Sequence, residues 1–395
     1  YSYNIQLKMT NFKESNLSMT AKLAVNLIKI PSITPNDLGC LDLIKVRLNP
    51  LGFNCITIED SGTTNLLALH GTGSPFFLFL GHTDVVSPGN DADWSFPPFG
   101  AESNNIEGTD YLQGRGSQDM KSSDAAMTEA LVSFVEANPN HKGCVGILLT
   151  SNEEGDAKGG TAFVVEYLKE HNLIPDYCLV GEPSCVDTFG DTIKNGRRGS
   201  LTAHITVLGV QGHVAYPQRC DNAAAKAAKL MATLSETTWD QGSEFFPKSS
   251  FQITNIKCGT GAENVVPGEC YFMCNWRFND NLTQEKIANK VSELVNSLNL
   301  KCEIRYVLNG LPFVTKGGEL LEALNASIED LLGQKAKLST AGGTSDGRFI
   351  APLGTKVVEF GPRSNLIHKV NEAVELASID KLHQIYVKTL EKIFC

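Results

Sequence analysis

Basic residues are in the minority in this sequence. Its 395 residues hold 34 Lys and Arg against 44 Asp and Glu, a formal net charge of −10. Contact with a phosphate backbone needs a basic face, so general nucleic-acid binding is excluded. Arg197-Arg198 is left as a candidate local basic pocket. No apolar run approaches the roughly 20 residues that cross a bilayer. Lys8 and Lys13 are not followed by the apolar stretch of a signal peptide. The expectation is a cytoplasmic protein with no membrane and no nucleic-acid partner. Cysteine pairing signals are missing as well: the 11 Cys make an odd count, and no C-x-x-C occurs. That pattern fits a reducing compartment without a disulfide framework and argues against a thiolate metal site. Cys270 and Cys274 fall on one face of an expected strand, as buried free thiols do. There is also no G-x-x-x-x-G-K-[ST] loop and no G-x-G-x-x-G after a strand.

What is there is ordinary soluble-domain composition, 42% hydrophobic and 20% charged, over a length that suits two domains. From about Thr20 to Asn195, helical and strand patterns alternate. Ala21–Ile30, Leu41–Leu48 and Thr161–Glu170 read as helices, and a helix opens at Asp119 with Ala126, Ala130 and Phe134 on one face. Phe53–Ile58, Phe76–Leu80, Val145–Thr150 and Tyr177–Val180 read as strands. Such βα alternation implies a mixed α/β sheet with helices on both faces. Near Gly199 the pattern changes. Leu201, Ala203, Ile205 and Val207 alternate with polar residues, as in a strand with one solvated face. An Ala-rich helix from about Asn222, strands at Phe251–Lys257 and Glu269–Phe278, a helix at Thr283–Leu298 and a strand at Lys301–Val307 follow. That β-α-β-β-α-β order is ferredoxin-like. After Pro312 the α/β character resumes with a helix at Leu320–Leu332, a strand at Lys356–Phe360 and a final helix at Ala377–Ile393. The expected organisation is one catalytic domain, 1–198 and 312–395, interrupted by an inserted domain, 199–311. Residues 1–18 are expected to be appended or disordered, and Met9 and Met19 are both candidate start residues.

Five short turns carry the chemistry. They are Gly81-His82-Thr83-Asp84, Gly116-Ser117-Gln118-Asp119-Met120-Lys121, Ser151-Asn152-Glu153-Glu154, Gly181-Glu182-Pro183-Ser184 and Ile367-His368-Lys369. Four follow or trail strand-like runs, and ligands of open α/β sheets gather at the carboxyl ends of strands. Imidazoles and carboxylates without thiolate suit Zn²⁺ or a similar ion in an open site. Each residue also has a bland reading. His82 serves equally as a turn histidine, but Asp84 two residues on is placed to hold one ring nitrogen. Asp119 is as well suited to cap the following helix. Glu153-Glu154 resembles solvated loop charge, except that adjacent acids after an apolar strand repel unless a cation is near. His213, on a glycine-flanked turn, is by default a surface residue.

The five elements in this order, with Gly114-Arg115-Gly116, resemble the dinuclear zinc M20 metallopeptidases over nearly the whole chain from about Met19. Lys194-Asn195-Gly196-Arg197-Arg198-Gly199-Ser200, Gly212-His213-Val214-Ala215-Tyr216-Pro217 and Gly342-Gly343-Thr344-Ser345-Asp346-Gly347-Arg348-Phe349 look like the desuccinylases within that family. The resemblance implies two Zn²⁺ per subunit, with Co²⁺ or Mn²⁺ as substitutes. His82 and Glu182 would hold one, Glu154 and His368 the other, and Asp119 would bridge them. It implies Glu153 as general base and acid, Asp84 orienting His82, and His213 stabilising the oxyanion in the partner subunit of a homodimer built by the inserted domain. A small anionic substrate would meet Arg197, Tyr216, Asn264, Arg277, Gly343 and Thr344. Two strings depart from the family pattern. Ala262-Glu263-Asn264 stands where consecutive Asn are usual, and Ser364-Asn365-Leu366 where Asn-x-Thr is usual. Other readings are a different amidohydrolase of the family such as an acetylornithine deacetylase, a non-catalytic dimeric binding protein, and a structural metal site.

Overall fold

The computed structural model describes residues 17–395; residues 1–16, and the start at Met9, lie outside the described residues. Ser18, within the segment expected to be appended or disordered, belongs to the fold. Its hydroxyl accepts the Ala21 N–H at 3.0 Å and so caps the helix Met19–Ile28. The chain divides into two compact units. Among the described residues the first comprises 17–196, 315–339 and 345–395, and the second 197–314 and 340–344.

The first unit is built on an eight-stranded mixed sheet. Its centre is made of parallel strands lying side by side. Gly143–Thr150 pairs with Phe76–His82, which pairs with Tyr177–Val180, which pairs with Lys356–Glu359. Phe76–His82 and Gly143–Thr150 are buried at every position, as strands covered on both faces must be. Their side chains separate into two layers. Phe77, Phe79, Val145, Ile147 and Leu179 join a core with the helices Met19–Ile28, Cys40–Leu48, Ser122–Ala137, Glu319–Leu332 and Leu376–Phe394. Tyr177–Val180 and Lys356–Glu359 also meet the short helix Gly347–Ile350, which packs on the helix Thr161–Glu170. Antiparallel strands Asn54–Asp60 and Thr63–Thr72 extend one edge. A separate three-stranded sheet joins Ala373–Glu375, Thr109–Gln113 and Glu102–Ile106. Glu102–Ile106 and Thr109–Gln113 are short and mostly polar and Ala373–Glu375 has three residues, so no long apolar alternation announces them.

The second unit is a four-stranded antiparallel sheet in the order Ser250–Cys258, Glu269–Phe278, Gly199–Leu208, Lys301–Gly310. With the helices Ala223–Glu236 and Gln284–Ser297 this is the ferredoxin-like arrangement. One face is dry: Leu201, Ala203, Ile205, Val207, Phe272, Cys274, Trp276 and the helix residues Ala227, Leu230, Ile287 and Val291 form its core. Asn222 and Thr283 cap the two helices through their side chains. The limits of this unit differ from 199–311, and 340–344 joins it from later in the chain. Side chains account for that. Arg197 donates to the carbonyls of Ala341 and Gly343 at 3.5 and 3.3 Å, and the Thr340 hydroxyl donates to the Phe245 carbonyl at 2.7 Å.

Candidate metal centre

Three neighbouring parallel strands end together and carry the acidic and histidine turns. His82 is the last residue of Phe76–His82, directly opposite Thr150, the last of Gly143–Thr150. Glu153 and Glu154 lie just past Thr150, and Glu182 just past Val180. His368 follows the fourth strand after a loop, with a left-handed φ of 61°. Asp119 comes from the turn Ser117–Lys121 that leads into the helix Ser122–Ala137. Its backbone there is non-helical, and the helix has no side-chain cap, so Asp119 is not a capping residue. The turn sits hard against the sheet. A Cβ on Gly81 would lie 2.6 Å from Met120 Cε and 2.5 Å from Asp124 Oδ1, which is why glycine precedes His82. Lys121 is fully buried and holds the turn from below, donating to the carbonyls of Leu27 and Ile30 at 2.8 and 2.7 Å.

The result is two ligand groups sharing one residue. His82, Asp119 and Glu182 form one; Asp119, Glu154 and His368 form the other. Asp119 turns one oxygen to each: Oδ1 lies 3.3 Å from His82 Nε2, and Oδ2 lies 3.3 Å from His368 Nε2. His368 Nε2 also meets Glu154 Oε1 at 2.8 Å, and His82 Nε2 lies 3.7 Å from Glu182 Oε1. His82 Nε2 and Asp119 Oδ1 are both buried, yet neither makes a hydrogen bond. An orphaned nitrogen lone pair facing an orphaned carboxylate oxygen is the donor arrangement a divalent cation would satisfy.

The electrostatics make the same point. Burial opposes a charge on His82, but the carboxylates of Asp119 and Asp84 raise its pKa well above the usual imidazole value. His368 is pushed up to about 10, chiefly by Asp119 and then by Glu154. Burial would raise Asp119, but the imidazoles of His368 and His82 hold it below the ordinary carboxylate range. Burial raises Glu182 well above that range, and Asp119 and Glu153 add to it. Acids crowded this closely need positive charge among them, from protons or from a cation. Glu153 is pushed up to about 8, first by burial and then by the Asp346 carboxylate.

Supporting residues fix the ligands. His82 Nδ1 donates to the Asp84 backbone carbonyl at 3.0 Å, while the Asp84 carboxylate stands farther away at 3.6 Å. That bond leaves Nε2 free for coordination. The Asp84 carboxylate instead accepts the N–H groups of Glu153 and Glu154, each at 3.1 Å, so it shapes the acidic turn. Three positioning residues had no place in the sequence-based role assignments. Arg115 pairs with Glu372 at 2.6 Å and donates to the carbonyls of Lys369 and His368 at 3.1 and 3.4 Å. Glu372 accepts the backbone N–H groups of Gly116, Gln118 and Asp119. The Gln118 side chain donates to the Ala373 carbonyl at 2.8 Å and accepts the Leu366 N–H at 2.9 Å. Together they tie the Asp119 turn to the His368 loop. Arg115 stood within the Gly114-Arg115-Gly116 string, but no local pattern marked Glu372.

Glu372→Ala is expected to lower stability by about 3–5 kcal/mol, because it leaves the buried Arg115 charge uncompensated. Metal content should fall with it. Denaturant unfolding and metal analysis check this, and an unchanged unfolding midpoint would make the pair dispensable.

The residues expected at the substrate lie in the second unit. Arg197 is buried, Arg277 half-buried, and Gly343 exposed. Asn264 is exposed, and its carbonyl accepts the Val214 N–H at 3.0 Å. His213 is exposed on a two-residue strand, its Nδ1 accepting the Ala215 N–H at 3.1 Å, with the Tyr216 ring 5.7 Å away. In the first unit Ser364 donates to the Cys185 carbonyl at 3.2 Å, and Asn365 accepts from Gln118 at 3.1 Å.

The family model described as peptidase family M20/M25/M40 matches residues 78–392. The chain belongs to that family. It is therefore a hydrolase, and its two ligand groups fall within the matched span. Among curated proteins it is 47% identical over 378 residues to a succinyl-diaminopimelate desuccinylase from Hahella chejuensis, covering 96% of this chain and 98% of that one. It is 47% identical over 374 residues to a protein of the same name from Nitrosomonas eutropha, covering 95% and 98%. Among solved structures, an M20 family metallo-carboxypeptidase from Sulfolobus solfataricus has a TM-score of 0.76 at 17% identity, covering 95% of this chain and 99% of that one. At that identity the likeness speaks for the fold.

Proposed function

We propose that this protein hydrolyses the amide of N-succinyl-L,L-2,6-diaminopimelate to succinate and L,L-2,6-diaminopimelate, a step of lysine and cell-wall diaminopimelate biosynthesis in the cytoplasm. The observation that carries the chemistry is the pair of ligand groups joined through Asp119, with Glu153 beside them. The choice of substrate rests on the relatives, identical at 47% over nearly their full length. The proposed cofactors are two Zn²⁺, with Co²⁺ or Mn²⁺ able to replace them.

Cations held by His82, Asp119, Glu182, Glu154 and His368 would polarise the scissile carbonyl and lower the pKa of a water. Glu153 takes a proton from the attacking water as its oxygen bonds to the amide carbon. A carboxylate placed beside the reacting atoms can hold that proton through the addition. Glu153 then delivers the proton to the amide nitrogen as the C–N bond breaks, leaving succinate and a free amine. Asp84 fixes the turn from which Glu153 acts. Arg197 binds a substrate carboxylate through its guanidinium fork.

The working assembly in this reading is a homodimer formed by the inserted domain, with His213 stabilising the oxyanion in the partner's site. Support comes from the second unit itself. Ser250–Cys258 is an edge strand exposed from Thr254 to Cys258, with Ile256 59% exposed, and such edges pair readily across a two-fold axis.

The deciding experiment is turnover of the succinylated substrate beside N-acetylornithine, with metal content measured on the same sample. Preference for N-acetylornithine would move the protein to a deacetylase reading. Arg197→Lys should raise KM for the succinylated substrate about tenfold, the loss of roughly 1.4 kcal/mol of binding, with metal content unchanged. An unchanged KM would make Arg197 a structural residue that holds the Ala341 and Gly343 carbonyls.

A further inference from the structure

The geometry points to a second ligand site in the first unit, behind the His368 loop, that takes a zwitterionic amino acid with an apolar side chain. A cavity of about 450 Å³ lies there, within the size range of small-molecule sites. None of the metal-ligand candidates lines it. The rings of Phe96, Tyr111 and Phe189 supply an apolar wall. Two polar atoms of the lining residues are buried without a partner: the donor Arg363 Nε and the acceptor Asn104 Oδ1. Asn104 is only 8% exposed. Buried polar groups are ordinarily hydrogen-bonded, so an orphan donor and an orphan acceptor in one cavity ask for a ligand that brings both complements.

Charge narrows the class. The lining also holds two carboxylates, Glu102 and Glu375, so with Arg363 it carries one positive and two negative charges. A simple anion would be opposed by the acids, and a simple cation by the guanidinium. A zwitterion meets both. Its carboxylate pairs with Arg363, its ammonium faces Glu102, Glu375 and the Asn104 oxygen, and an apolar side chain lies on the rings.

The site is wired to the metal centre. Gln118 also lines the cavity, immediately before Asp119 in the chain. Its side chain holds Asn365, Leu366 and Ala373, and the first two precede His368. Filling the cavity braces the segment that carries Asp119 and His368. An occupant is therefore expected to alter kcat without displacing substrate. Binding stands apart from the proposed reaction; the effect on kcat rests on it.

The test uses L-phenylalanine as the probe on metal-loaded protein. Calorimetric titration should show one saturable site per chain, with Kd between about 1 μM and 1 mM. Phenethylamine, which lacks the carboxylate, should bind at least tenfold more weakly. Arg363→Met should weaken L-phenylalanine to the same degree while turnover without the amino acid stays at the native level. Glu375→Gln serves as the second variant should Arg363→Met fail to fold. Absence of saturable heat at millimolar L-phenylalanine overturns the site, as does full-strength binding to the folded variants. Purely competitive inhibition also overturns it, by placing the amino acid where the substrate goes. Turnover of succinylated diaminopimelate measured without L-phenylalanine judges the reaction separately.

Discussion

Glu153→Gln is expected to cut turnover by about 10²–10⁴-fold, the usual contribution of a positioned general base. The amide is nearly the same size but cannot take a proton from water. The two ligand groups contain Glu154 and not Glu153, so the metals should stay bound. The backbone N–H of residue 153 would still reach Asp84, so the turn should keep its shape. Glu154→Gln provides the contrast. Glu154 Oε1 sits 2.8 Å from His368 Nε2, within the second ligand group. That variant should lose metal from one group while the other stays filled. Kinetics and metal analysis on the same preparations check both. Activity above a few per cent in Glu153→Gln would remove the base assignment, and equal metal content in the two variants would contradict their separate roles.

His213→Ala is expected to bind metal normally yet lose about 10²–10³-fold in turnover, the typical effect of removing one oxyanion donor. No ligand candidate lies in the second unit, which carries His213. Its ring is exposed and its contacts, to the Ala215 N–H and the Tyr216 ring, are local, so the substitution should leave stability almost untouched. Mixing this variant with Glu153→Gln tests the dimer. If His213 serves the partner's site, exchanged dimers contain one site with both residues intact, and activity should return toward half per such dimer. Proven subunit exchange without recovery would return His213 to its own subunit or to the surface.

How much of this was written in the chain can be judged residue by residue. Apolar runs marked three of the parallel strands, Phe76–His82, Gly143–Thr150 and Tyr177–Val180, because strands covered on both faces are largely apolar. Strict alternation marked Gly199–Leu208, because only one of its faces is dry. The short strands Glu102–Ile106 and Thr109–Gln113 escaped, because their pairing is backbone work that leaves no hydrophobic period. The ligand types were also legible. His82, Glu153, Glu154 and Glu182 follow strands, and strand ends are where such residues converge. Pairing of those strands as neighbours then brought the turns together.

Other decisions belonged to tertiary structure alone. Asp119 could equally have been a helix cap until the non-helical turn placed its two oxygens toward two different histidines. Asp84 carried the expectation of holding His82 with its carboxylate. Folding instead gives that bond to its carbonyl and aims the carboxylate at the Glu153 turn. Glu372 lies more than 250 residues from the backbone N–H groups it accepts, so no local pattern could show it. The sequence by itself determined where the long helices and strands form and which chemistry their ends carry, because hydrophobic period and residue type are local properties. Only the tertiary structure decided which oxygen faces which nitrogen, because hydrogen bonds and ligand geometry depend on distances that close after distant segments have packed.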